Sequence, residues 1–234
     1  MTDPWSEIAE GWAELWGGFA EPAQRAVAQA TGIGPGTAVL DVGCGSGEFL
    51  AYAHRLGARA AGADPAPGMV ALARKTAPHA EVRTGDAEHL PWPDDSFDVV
   101  TAFNAIQFAE DPEAAITELR RVGRQVAIAG WAERARNDFT VIEDALEGEP
   151  RPDGGHRDSL EDLMRAAGLE VTGHGIVEVV WHARDDDTLV RGVLLGGDAD
   201  ADADATTVLE AARPYKTDSG GYRLVNAFRY AIGR

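Results

Sequence analysis

Three glycines at alternate positions, Gly43, Gly45 and Gly47 in "AVLDVGCGSGEFL", follow an apolar run and precede a helix-like segment. A glycine at the end of a buried strand permits a tight turn, and alternate glycines bring a ligand within reach of backbone N–H groups that side chains would block. The following helix, expected to begin near Ser46, adds its partial positive end. A dinucleotide site wants G-x-G-x-x-G, but counting from Gly43 its last position is Glu48, an acid where a pyrophosphate would sit. Asp41, two residues before Gly43, suits a positive group. Asp64 ends the next apolar run, 21 residues after Gly43, where a carboxylate can accept from both hydroxyls of a ribose. Asp86 follows a third run and can take the amino group of an adenine, with the Ala87 N–H offered to the ring. A ligand carrying a carboxylate, an ammonium and a ribose fits this set better than a diphosphate.

The elements that must position these residues alternate. Trp5, Ile8, Trp12, Leu15, Trp16 and Phe19 recur at helical steps, and "EPAQRAVAQATG" stops at a glycine. Beyond a first strand in "GPGTAVLDVG", helices are expected near 47–56, 68–76 and 112–122, and strands near 59–63, 81–84, 97–103 and 124–130. Strands separated by helices imply a doubly wound parallel sheet, an α/β fold. Residues 133–158 have weak periodicity and many turn formers and read as an irregular insertion before the helix "SLEDLMRAAG". "LEVTGHGIVEVVWH" and "YRLVNAFRYAIGR" alternate as strands, which suggests an antiparallel edge. The acidic run 197–206 reads as a solvated loop without the pattern of a calcium site.

Composition narrows the function. A formal net charge of -18 repels phosphate backbones, so nucleic acid is not an expected partner. One cysteine, Cys44, excludes an intrachain disulfide and a multi-cysteine metal site, and no metal is expected. Cys44 reads as a small packing residue inside the ligand loop. The acidic, tryptophan-bearing N-terminus is unlike a secretory signal, and no apolar run approaches the roughly 18 residues of a membrane span, so the expectation is a soluble cytoplasmic protein.

"VLDVGCGSGEFL", "GADPAPGMVALAR", "GDAEHLPWPDDSFDVV" and "AFNAIQFAEDP" together resemble the successive motifs of class I S-adenosylmethionine-dependent methyltransferases, of the type 11 branch that includes the ubiquinone and menaquinone enzymes. The resemblance spans roughly 36–131 and implies a Rossmann-like seven-stranded sheet of order 3-2-1-4-5-7-6 with the last strand antiparallel. It implies one domain over 1–234: N-terminal helices to 35, a cofactor core over 36–131, then a small cap insertion and the late strands. It also implies S-adenosyl-L-methionine as cofactor and S-adenosyl-L-homocysteine as product. By that likeness Asp41 and Gly43 lie near the methionine moiety, Gly45 beside the cofactor backbone and Asp64 on the ribose, with Cys44, Gly47 and Pro65 also among the cofactor-binding residues. Met69 would lie on the adenine, with Asp86 and Ala87 at its edge, and the Asn104 carbonyl would meet the cofactor's ammonium. Gln107 stands where many relatives carry histidine, and Trp12 and Trp16 where many have a tyrosine. These indoles either close over the sulfonium by cation–π attraction, about 0.5 to 2 kcal/mol, or pack a lid.

Methyl transfer from a sulfonium needs alignment above all, with a base for some acceptors. Among six histidines, His156 in the Gly-rich insertion is the candidate base; His174 and His182 share a strand face with Glu170 and Glu178 and read as solvated. Trp131 and 133–158 are the candidate substrate contacts. The expected acceptor is a small molecule, in secondary metabolism by the composition, and the expected assembly a monomer or homodimer. A cyclisation at the same cofactor site, or a non-catalytic binding subunit, are the alternative readings.

Overall fold

The protein is described by a computed structural model over residues 3–148, 159–196 and 201–234. Its centre is a seven-stranded sheet of order β3-β2-β1-β4-β5-β7-β6. The strands are β1 (Ala38–Val42), β2 (Arg59–Asp64), β3 (Glu81–Thr84), β4 (Phe97–Phe103), β5 (Gly123–Trp131), β6 (Val171–Ala183) and β7 (Tyr222–Gly233). β1 to β5 pair in parallel, and β7 runs antiparallel between β5 and β6, as the resemblance implied. The order reverses at β1, whose partners on either side are β2 and β4. The carboxyl ends of these strands open into the crevice where such sheets bind ligands.

Short-range chemistry sets the helix starts. In α1 (Pro4–Leu15) and α5 (Pro112–Val122) an aspartate accepts from the first free N–H groups and a proline occupies the first turn. α2 (Glu21–Thr31) stops at Gly32 in the left-handed conformation. α3 (Glu48–Arg55) and α4 (Pro67–Thr76) follow β1 and β2. One sheet face buries Leu40, Val100 and Ile128 under Ile116 and Leu119 of α5, and Met164 of α7 (Leu160–Ala166). The other buries Val39 and Val99 with Phe49 of α3 and Ala28 of α2.

Three segments differ from the sequence reading. The supposedly irregular insertion contains α6 (Phe139–Glu147). Its Phe139, Ile142 and Leu146, at helical spacing, pack on Trp181 and Phe228, and its entry is tied to β7 by the Asn137 and Asp138 side chains, which accept from the Ala227 and Val225 N–H groups. These partners are some 90 positions away, which local periodicity cannot register. The acidic run is helical from Ala201, where α9 (Ala201–Ala211) begins; Val208, in that helix, and Ala212, just beyond it, are buried against the ring cluster. α8 (Asp186–Val193), unread in the sequence, is capped by Asp185 and buries Leu189. Among the described residues no helix is long and apolar enough to cross a membrane.

Candidate active site

The loop 43–47 is held from below. Gly43 and Cys44 donate to the Ala63 carbonyl at 2.8 and 3.0 Å, and the two oxygens of Asp64 accept from the Gly45 and Ala66 N–H groups, each at 2.9 Å. Asp64 thus joins the loops that end β1 and β2. Cys44 is buried, and a Cβ on Gly62 would come within 2.9 Å of its sulfur, so it packs as the sequence suggested; burial pushes its thiol well up. The glycines differ in what surrounds them. A Cβ at Gly47 would lie 2.8 Å from Cα of Ala73, so helix α4 excludes one, whereas at Gly45 it would meet nothing within 4 Å. Open space above Gly45, beside inward-facing acids, is the shape of a ligand cradle.

Three carboxylates border it. Asp41 is buried and accepts from the Thr101 hydroxyl at 2.7 Å; burial, with Asp64 and Glu48 adding repulsion, pushes its pKa up to about 8. Burial also raises Glu48, against the opposing bond from the Ser46 hydroxyl, and Asp64, against its two backbone donors. None of the three forms an ion pair among the described residues.

α1 roofs this loop. Ser6 accepts from the Gly68 N–H at 2.9 Å, placing α1 across the start of α4, and Trp12 packs with Ala66 and Met69. Pro65 lies between the two ties of that loop, Asp64 and Ala66. Trp5 links Trp12 to Phe108 through ring contacts of 5.2 and 5.3 Å. Trp16 stacks on Trp12 but also on Trp181, and donates to the Gly192 carbonyl at 3.0 Å. Its polar atom is spent on the scaffold, so it backs Trp12.

Across the crevice, Asn104 has a left-handed backbone (φ 55°) fixed by its N–H bond to Ala129. Such a conformation in a non-glycine residue is costly and clusters at functional sites. Its buried Oδ1 has no partner; this oxygen and Gln107 Oε1 lie 3.7 and 3.5 Å from where a Gly130 Cβ would be. Trp131 points to the opposite sheet face by strand alternation, against Phe19 and Phe228. The structure therefore does not bring Trp131 together with the two amides. Asp86 is exposed and meets His89 at 3.2 Å, with Ala87 packed on the core beside it. His174 and His182 lie on the exposed face of β6, as expected, and His156 falls outside the described residues.

These positions can be set against known proteins. The methyltransferase domain family matches residues 40–128. Malonyl-[acyl-carrier protein] O-methyltransferase of Yersinia pestis is 40% identical over 89 residues, 38% of this chain and 33% of that protein. Phosphatidylethanolamine N-methyltransferase of Cereibacter sphaeroides is 33% identical over 147 residues, 58% of this chain and 71% of that one. The chain belongs to the class I S-adenosylmethionine-dependent methyltransferases. A solved methyltransferase of this kind from Aquifex aeolicus shares the fold at 22% identity, with a TM-score of 0.57 over 76% of this chain and 94% of that one. The chain spans less than half the length of most curated relatives it matches.

Two groups that position the loops of the site escaped the sequence reading. Arg121, taken as part of a polar helix end, donates to the Leu90 and Trp92 carbonyls at 3.1 and 2.9 Å, while its neighbour Glu118 accepts from the Leu90 N–H at 2.8 Å. Together they clamp the segment after β3. Its only sequence signal was an acid three residues before an arginine on a helix. Ser6 and Trp5, which set the roof, had no signal beyond helical spacing.

Proposed function

We propose that this methyltransferase binds S-adenosylmethionine on the 43–47 loop and transfers its methyl group to a small-molecule acceptor. The observation that carries the reading is the cradle itself: open space at Gly45 bordered by Asp41, Glu48 and Asp64, acids that no cation of the described chain neutralises. That donor set fits a cationic ligand. The bound cofactor supplies an activated methyl on a positive sulfur whose departure needs no acid. The protein's part is alignment and exclusion of water, and positioning of this kind can contribute about 7 to 11 kcal/mol of a barrier.

In this reading Asp64 faces the ribose with the lone pairs left over from its two backbone bonds. Met69 and Trp12 flank the adenine, Asp86 and Ala87 meet its edge, and the Asn104 carbonyl receives the ammonium. Trp16 acts through Trp12. The continuous sheet from β3 to β6 supports treating 1–234 as one domain.

Calorimetric titration of ligand-free protein with S-adenosylmethionine, S-adenosylhomocysteine and NAD tests the proposal. Binding of the two sulfur ligands, weakened in Asp64→Ala, is the expected result; heat with NAD alone would overturn it.

A further inference from the structure

We infer that Glu48 is a charge-selecting residue: with Asp41 and Asp64 it makes the site hold the cationic cofactor more tightly than the sulfur-neutral product. The inference rests on the cofactor reading above and concerns what that site discriminates.

Glu48 opens α3, where a loop built for phosphate would keep its backbone N–H groups clear of acids. Its carboxylate accepts from the Ser46 hydroxyl at 2.7 and 2.9 Å, which fixes it beside the loop. The corner between α1 and α2 covers it, since Glu48 Oε1 lies 2.6 Å from where a Cβ on Gly17 would be. Glu48 is thus tied to the loop by Ser46 and half-buried beneath the corner at Gly17.

The charge coupled to it has the same sign: Asp41 feels repulsion from both Glu48 and Asp64. Asp41 comes from β1 and Asp64 from the end of β2, and Asp3 at the start of α1 adds further repulsion at Asp64. The other groups are neutral: Thr101 from β4, Cys44 and Ser46 from the loop. Each carboxylate resists ionisation, and a positive ligand relieves all of them at once. S-adenosylmethionine carries one more positive charge than S-adenosylhomocysteine and otherwise the same shape apart from the methyl. The difference in charge is therefore what this surface reads, and the resulting preference favours exchange of product for fresh cofactor.

The test is calorimetry of the whole protein with S-adenosylmethionine, S-adenosylhomocysteine and sinefungin, whose amine-bearing carbon replaces the sulfonium. It is run at steps between about pH 6 and 8, where Asp41, raised to about 8, gives up its proton to a cationic ligand. The expected result is a preference for the two cationic ligands that grows with pH, by at most about tenfold per unit for one linked proton. Glu48→Gln should lose about tenfold in affinity for S-adenosylmethionine and stay within about twofold for the homocysteine. If that variant does not fold, sinefungin against the homocysteine on the unaltered protein decides the matter. Binding of all three with a ratio that ignores pH and the substitution overturns the inference and leaves the cofactor reading standing. Silence with all three overturns both.

Discussion

The two halves of the sheet are built from different materials. In β1 to β5 the strands are short and parallel, their buried positions are mostly alanine and valine, and the site is made by main chain, glycines and short acids at strand ends. β6 and β7 are 13 and 12 residues long, antiparallel, and lined with rings: Trp181 and Phe228 join Trp16, Phe19, Phe139 and Trp131 in one contact network. α1 belongs to both, tied to α4 through Ser6 and to α8 through Trp16. Small side chains let backbone approach a ligand, whereas large ones supply burial energy at a distance from it. The first half is organised for contact and the second for support.

The largest expected break in this contrast is electrostatic. Asp41 has its pKa raised from 3.8 to about 8 in the folded chain. Below the lower value the group is protonated in both states and its contribution to stability is intact. As pH rises toward the upper value the unfolded chain ionises while the folded one resists, so stability falls. The loss for one such group is of order 5 kcal/mol. Urea unfolding of ligand-free protein across this range should show the decline, and Asp41→Asn should flatten it; a decline that persists unchanged in the variant would assign it elsewhere. Next comes the supporting half. Trp181→Ala removes a buried indole that donates to the Leu15 carbonyl at 2.7 Å and should cost about 3 to 5 kcal/mol, with cofactor affinity in the surviving folded fraction nearly unchanged. A large affinity loss there would mean that the support half shapes the site directly. Gly47→Ala is smaller, about 1 to 3 kcal/mol by strain, because the new Cβ meets the backbone of α4; thermal unfolding would register it.

The contact half was legible because its signals are local. The strands at 81–84 and 97–103 and the helix at 112–122 coincide with the observed elements, and two of the acids at strand ends, Asp41 and Asp64, lie together beside the 43–47 loop. What the sequence concealed depends on partners far along the chain. α6 is a helix because Phe139 meets Trp181 and Trp131, and α8 because Gly192 leaves room for the Trp181 ring, 2.4 Å from where a Cβ would be. Trp131, expected at the substrate by its place at a strand end, is partly exposed and also joins the ring network, a contact with Phe228 that its residue type did not announce. Asn104 shows the opposite case: its place was legible from the motif, but its left-handed backbone and unpaired oxygen were not, since neither follows from residue type.

Gly45 sharpens the comparison with the smallest change in stability. Its backbone is left-handed, φ 52°, so an alanine there carries the steric penalty of about 1 to 2 kcal/mol that L-residues have in that region. No neighbour would clash with the new methyl, so nothing beyond that penalty is expected in thermal unfolding. The methyl would instead fill the space the ligand needs. Gly45→Ala should therefore abolish S-adenosylmethionine binding in calorimetry while leaving the protein folded, whereas Gly47→Ala, two residues away, should destabilise more and bind better. If Gly45→Ala kept full affinity, the open space above it would not be the cradle, and the ligand would have to approach the loop from its other side, past Asn104.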